Sequence, residues 1–144
     1  TFNGLVVPES DRSYEVVVVA NVFHHADSHK NLFSESARIL KPGGMMIVVE
    51  TVPLDDSRVE WFGTFFGDLL YNQFIPQNGI ELKDQKNTPV PGNYELAESW
   101  VEMGECLGLV VEYQKFLGVD IPAVPEAHHQ FVFRKGGITP SDSP

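Results

Sequence analysis

Residues 15–50 read EVVVVANVFHHADSHKNLFSESARILKPGGMMIVVE, and the order of patterns within this stretch decides the fold. Glu15 to Ala20 is short, apolar and rich in β-branched residues. An uninterrupted apolar run suits a parallel strand covered by helices on both faces. Asn21 to His25 reads as a loop, followed by a helix from about Ser28 to Leu40 that Asp27 or Ser28 is placed to cap. Leu32, Phe33, Ser36, Ala37, Ile39 and Leu40 give this helix one small-and-apolar face. Lys41-Pro42-Gly43-Gly44 ends it: Lys41 suits the negative helix terminus, and the glycines allow a tight reversal. Met45 to Val49 is a second buried strand, closed by Glu50 and Thr51. Strand, helix and strand at this spacing form a βαβ unit, which crosses over right-handed.

Downstream the pattern changes. Phe62, Phe65, Phe66, Leu69 and Leu70 recur at helical spacing beside Trp61, which predicts a helix over about Ser57 to Phe74. Pro76 to Asn93 is broken by prolines and glycines and reads as a long loop. A third helix is expected from about Tyr94 to Leu107, turning Trp100, Met103 and Leu107 inward, with Gly108 as its stop. Leu109–Phe116 and Gln130–Arg134 read as strands. The short connection around Pro122 to His129 has no helical pattern, so these two strands are expected to pair antiparallel. Residues 136–144 are rich in Gly, Ser and Pro and read as a disordered tail, leaving one domain over 1–135.

Composition narrows the function. The 144 residues carry 20 acidic against 10 basic side chains, a formal net charge of −10. Such a surface repels a phosphate backbone, so nucleic acid is not an expected partner. No apolar run approaches the roughly 20 residues of a membrane helix, and no membrane partner is expected. No signal peptide is visible. The single cysteine, Cys106, excludes an internal disulfide, suits a reducing cytoplasm and reads as a small apolar residue near a helix end. The chain starts at Thr1 rather than Met, which suggests processing, excision or incomplete representation.

Several local strings resemble one family in order and spacing. Ser13-Tyr14-Glu15-Val16-Val17 resembles "sFDvV", and Asn21-Val22-Phe23-His24-His25 is similar to "nvlHH". Ala37 to Gly44 resembles "aRvLkPGG", Ile47 to Glu50 resembles "lliiE", and Glu98-Ser99-Trp100 through Gly108-Leu109-Val110 resembles "eeW…aGF.vv". These are marks of the class I S-adenosylmethionine-dependent methyltransferases, of the type 11-like small-molecule kind. The resemblance covers roughly residues 1–135. It implies an α/β fold: the C-terminal half of a Rossmann-like sheet, parallel strands with a final antiparallel hairpin, and the N-terminal cofactor-loop half absent. No Gly-x-Gly precedes residue 43, and there is no room before Glu15 for two strands and two helices.

The resemblance also implies site residues. Asn3 and Gly4 fall where the family contacts the adenine, and Ala20, Asn21 and Val22 lie at the cofactor's edge. His24, His25 and Glu50 become candidate catalytic groups, beside the transferring methyl, because ligands in open parallel sheets bind beyond the strands' carboxyl ends. The expected cofactor is S-adenosylmethionine, with full binding requiring the missing half. Residues of about 53–93 correspond to a variable segment that covers a small-molecule substrate. The aromatic stripe Trp61, Phe62, Phe65, Phe66 and Tyr71 suits packing first, and an apolar or aromatic substrate second.

No metal site is expected, although His128 and His129 form a second histidine pair. Adjacent histidines on an extended segment point opposite ways, and no carboxylate spacing fits a known site. The strand at 16–20 would lose its family neighbour and present an open edge. Its expected cover is an upstream segment, a separate chain carrying the other half, or a second copy. The leading expectation is therefore part of a methyltransferase acting on an O, N or C nucleophile, inactive alone. The alternative is a non-catalytic module that pairs through the open edge; a nucleotide-binding oxidoreductase half fits the strings less well.

Overall fold

The computed structural model describes residues 5–74, 89–121 and 124–137. Strand β1 spans Tyr14–Ala20, a 3-10 turn Phe23–His25, helix α1 His29–Ile39 and strand β2 Leu40–Thr51. Helix α2 follows over Arg58–Phe74, then α3 over Ala97–Cys106, β3 over Leu109–Ile121 and β4 over Val124–Lys135. The four strands form one sheet in the order β1-β2-β4-β3. β1 and β2 run parallel, Val17 beside Met46 and Val19 beside Val48, whereas β4 is antiparallel to both β2 and β3.

The β1–α1–β2 unit forms where the sequence placed it, with two local differences. Ser28 is the N-cap residue of α1, but neither its side chain nor another caps the helix by a hydrogen bond. Lys41 does not serve the other end: it pairs with Glu15 at 3.0 Å. The last carbonyls of α1 are instead met by the Lys135 ammonium, which donates to Ala37 O at 2.7 Å and Leu40 O at 2.9 Å. A cation from the far end of the chain thus answers the negative helix terminus. The Lys-Pro-Gly-Gly segment is a bulge inside β2, since pairing jumps from Tyr14–Leu40 to Val16–Met45. Gly43 sits at φ +75°, and a Cβ on Gly44 would come within 2.8 Å of Lys41 O, so both positions need glycine.

One face of the sheet holds the core. Val19, Met46, Val48, Phe131 and Phe133 pack with Leu32, Phe33 and Ala37 of α1 and Trp100 of α3. The rings of Phe33 and Phe133 meet edge to face at 5.6 Å. Gly104 of α3 lies so close to this cluster that a Cβ would stand 2.5 Å from the Phe133 ring. The opposite face is poorly covered: Val16 and Val18 are 49% and 65% exposed, and Val110 is 61% exposed. β1 pairs only with β2 among the described residues, so its outer edge carries no strand there.

Three expectations need correction. Leu107 is 38% exposed rather than inward. The helix has ended by then: Leu107 is its C-cap, and Gly108 at φ +73° turns the chain away. The expected connection around Pro122–His129 is mostly strand, because β3 and β4 continue to pair through Val119–Ala127 to Ile121–Val124. On α2 the buried residues are Thr64, Gly67, Asp68 and Asn72, while Phe62 and Phe66 are exposed and stack on each other at 6.0 Å. This helix packs its polar stripe inward. Most of the expected 76–93 loop and the tail from residue 138 lie outside the described residues.

Candidate functional site

The site begins where β1 ends. Asn21 adopts φ 51°, a left-handed conformation that asparagine tolerates, and its N–H donates to Val49 O at 2.8 Å. The chain then folds into the 3-10 turn, held by an apolar anchor and a polar one. Phe23 is fully buried, its ring 5.3 Å from Phe33 and 5.5 Å from Trp100. Glu50, at the end of β2, is also fully buried, and its Oε1 accepts the N–H groups of Val22 at 2.9 Å and Phe23 at 2.8 Å. Its Oε2 accepts a hydrogen bond from His24 Nδ1 at 2.5 Å. One carboxylate therefore satisfies the turn's orphan donors and orients the imidazole that follows.

His25 is oriented separately. Its Nδ1 stands 2.7 Å from Pro89 O, and a carbonyl only accepts, so Nδ1 carries the proton and Nε2 keeps its lone pair. Because these histidines sit on a tight turn rather than on an extended segment, their rings lie 4.0 Å apart. The expectation that neighbouring histidines diverge does not apply here. Nε2 of each ring is 4.0 Å from Asp68 Oδ1 on α2. Asp68 is itself fixed: Tyr94 O–H donates to Oδ2 and Asn72 Nδ2 to Oδ1, each at 2.5 Å.

Charge accumulates around the two rings. Burial disfavours the charged form of His24, but the hydrogen bond and charge of Glu50, with Asp68 and Glu126, outweigh it and raise its pKa. For His25 burial and the neighbouring His24 win, and its pKa is lowered. Burial, then Asp68, pushes the Tyr94 phenol up, so it stays a hydrogen-bond donor.

Asn21, His24, His25, Thr51, Asp68, Tyr71, Asn72 and Glu126 line a cavity of about 240 Å³. The expected catalytic residues His24, His25 and Glu50 are thus brought together, with Asn21 beside them. Ala20 and Val22 flank Asn21 and are exposed. Asn3 and Gly4 lie outside the described residues. His128 faces Thr51 across the sheet and lines a neighbouring hollow with Asn21 and Val49. Sequence reasoning missed Asp68, Asn72, Tyr94 and Glu126. A signal for two of them was present: Thr64, Asp68 and Asn72 recur every four residues, a polar stripe on an otherwise aromatic helix. No helix among the described residues is long and apolar enough to cross a membrane.

Residues 3–48 match a family described as a methyltransferase domain. The chain is 30% identical over 120 residues to a sterol 24-C-methyltransferase of Yarrowia lipolytica, an alignment covering 80% of this chain and 26% of that protein. It therefore spans about a quarter of that relative's length. Among solved structures, an S-adenosylmethionine-dependent methyltransferase from Methanosarcina mazei superposes with a TM-score of 0.65 at 12% identity, covering 95% of this chain and 66% of that one. A putative methyltransferase from Bacillus halodurans gives 0.62 at 12% identity, covering 94% and 70%.

Proposed function

We propose that this chain is part of a class I S-adenosylmethionine-dependent methyltransferase domain and forms the acceptor side of its active site; the methyltransferase-domain match of residues 3–48 and the fold shared with solved methyltransferases support this reading. In this reading a methyl group passes from S-adenosylmethionine to an O, N or C nucleophile of a small molecule. The observation that carries the proposal is the turn after β1, where Glu50 locks His24 and holds the backbone of Val22 and Phe23 beyond the strands' carboxyl ends. Ala20, Asn21 and Val22 lie against the cofactor, while His24 and His25 face the acceptor. Glu50 is a positioning residue. Methyl transfer gains much of its rate from holding nucleophile and methyl in line, and a turn anchored at both ends suits that task.

The exposed aromatics of α2, with the name of the sterol methyltransferase relative, support an acceptor with an apolar body. Asn3 and Gly4 are assigned to the adenine side. The chain alone is inactive in this account, because the bare Val16 and Val18 face and the open β1 edge need a further segment, a second chain or a second copy to complete the sheet. The same open edge favours the second reading, a non-catalytic module that pairs through it. Transfer of labelled methyl from S-adenosylmethionine to a panel of small apolar acceptors separates the two. The protein with its remaining strands should turn over and the chain alone should not. Family-normal turnover by the chain alone, or none by the completed sheet, contradicts the proposal.

A further inference from the structure

The two imidazoles and the Asp68 carboxylate share a geometry that acceptor binding does not require. Their donor atoms all lie within 4.8 Å of one another, with each Nε2 4.0 Å from Asp68 Oδ1. A tetrahedral cation bonded at about 2.0–2.2 Å would hold two imidazole nitrogens and a carboxylate oxygen about 3.3–3.6 Å apart, so these atoms need close in by only roughly an ångström to grip it. From this convergence we propose that His24, His25 and Asp68 form a binding site for a divalent cation of the zinc class, open on its cavity side.

Three further observations support the assignment. Each would-be ligand is held from behind, as metal ligands are. His24 donates its Nδ1 proton to Glu50, His25 donates its own to Pro89 O, and Asp68 is gripped by Tyr94 and Asn72. In both histidines the nitrogen left for bonding is the one facing the shared point. Secondly, the setting is acidic: Glu50, Asp68 and Glu126 are all buried beside two imidazoles. Buried carboxylates are stabilised by a nearby cation, which a protonated His24 or a bound metal supplies. Thirdly, the donor set has a chemical preference. Two imidazoles with one carboxylate suit zinc and its first-row neighbours, whereas calcium and magnesium favour oxygen cages.

The cavity of about 240 Å³ leaves room for a fourth ligand. A water would fill it at rest. An acceptor's oxygen or nitrogen could replace that water, and this last use rests on the methyltransferase reading, while cation binding itself does not.

The test is calorimetric titration of zinc chloride into metal-stripped protein carrying Cys106→Ser, which removes the exposed thiol as a competing ligand. One equivalent should bind, and His25→Ala and Asp68→Asn should each weaken binding by about tenfold or more. Thermal unfolding of each variant checks that it is folded; His25 is the less buried position and serves if Asp68→Asn is not. Cobalt(II) in place of zinc should give the visible bands of a low-symmetry nitrogen and oxygen site with no thiolate band. Absence of uptake, or uptake unchanged in the folded variants, overturns the proposal. S-adenosylhomocysteine binding by the protein with its remaining strands reports independently on the methyltransferase reading.

Discussion

The two faces of the sheet use nearly the same residues and meet different fates. On β1, Val19 is 9% exposed and Val18 is 65% exposed, although the sequence there is an unbroken run of valines. Val19 turns toward α1 and α3, and Val18 points to the opposite, largely exposed face. A strand apolar on both faces is made for a three-layer domain. Among the described residues, only the face that carries Val19 has a closely packed apolar cover. Stability should therefore be concentrated on one face, and partner binding on the other.

The largest effect should come from the covered face. Phe133→Ala removes a fully buried ring that touches Phe33 and Gly104, and should cost about 3–5 kcal/mol in denaturant unfolding. A cost under about 1 kcal/mol would mean that this face is not the core. Next is the link between the core and the site. Glu50→Ala leaves two backbone N–H groups and His24 Nδ1 without their acceptor, which should cost about 3 kcal/mol and disorder the turn. NMR shifts of Val22 to His25 would report this directly. Lys135→Met keeps the stem but removes the cation at the end of α1, with an expected loss of about 1 kcal/mol. Val18→Thr on the bare face should change the stability of the chain by less than about 0.5 kcal/mol. A larger loss would show that a layer already covers it.

A pH series sharpens the same contrast at the edge of α1. The Arg38 guanidinium, aided by the Val7 N–H, holds the Glu35 carboxyl below its ordinary value. A depressed carboxylate adds stability above its unfolded pKa and loses it as pH falls through the folded one. The melting temperatures of the natural chain and Glu35→Gln should therefore differ by a constant amount near neutrality. They should converge in acid, below the ordinary carboxylate range.

Much of the fold was legible because its signals are local. The valine run, the apolar face of α1 and the two glycines after Pro42 each report on their own few residues. What stayed hidden depends on contacts between distant segments. Lys135 lies almost a hundred residues from the carbonyls it serves, and no periodicity announces it. The strand character of residues 124–129 arises from pairing with β3, and flanking prolines mask it. At the site, His24, His25 and Glu50 could be named because they follow strands at the ligand edge. Asp68 was obscured by its aromatic neighbours: the stripe of Phe62 and Phe66 drew the helix's inward face to the wrong side. The convergence of the two histidine rings needed the 3-10 turn, which a loop assignment does not specify.

The central proposal is that this chain forms the acceptor side of a cofactor site completed across the bare edge of β1. Calorimetric titration with S-adenosylhomocysteine tests it most directly, performed on the chain alone and on the protein with its remaining strands. Silence from the first and micromolar binding by the second is the predicted result. Tight binding by the chain alone, or none by either, would contradict it.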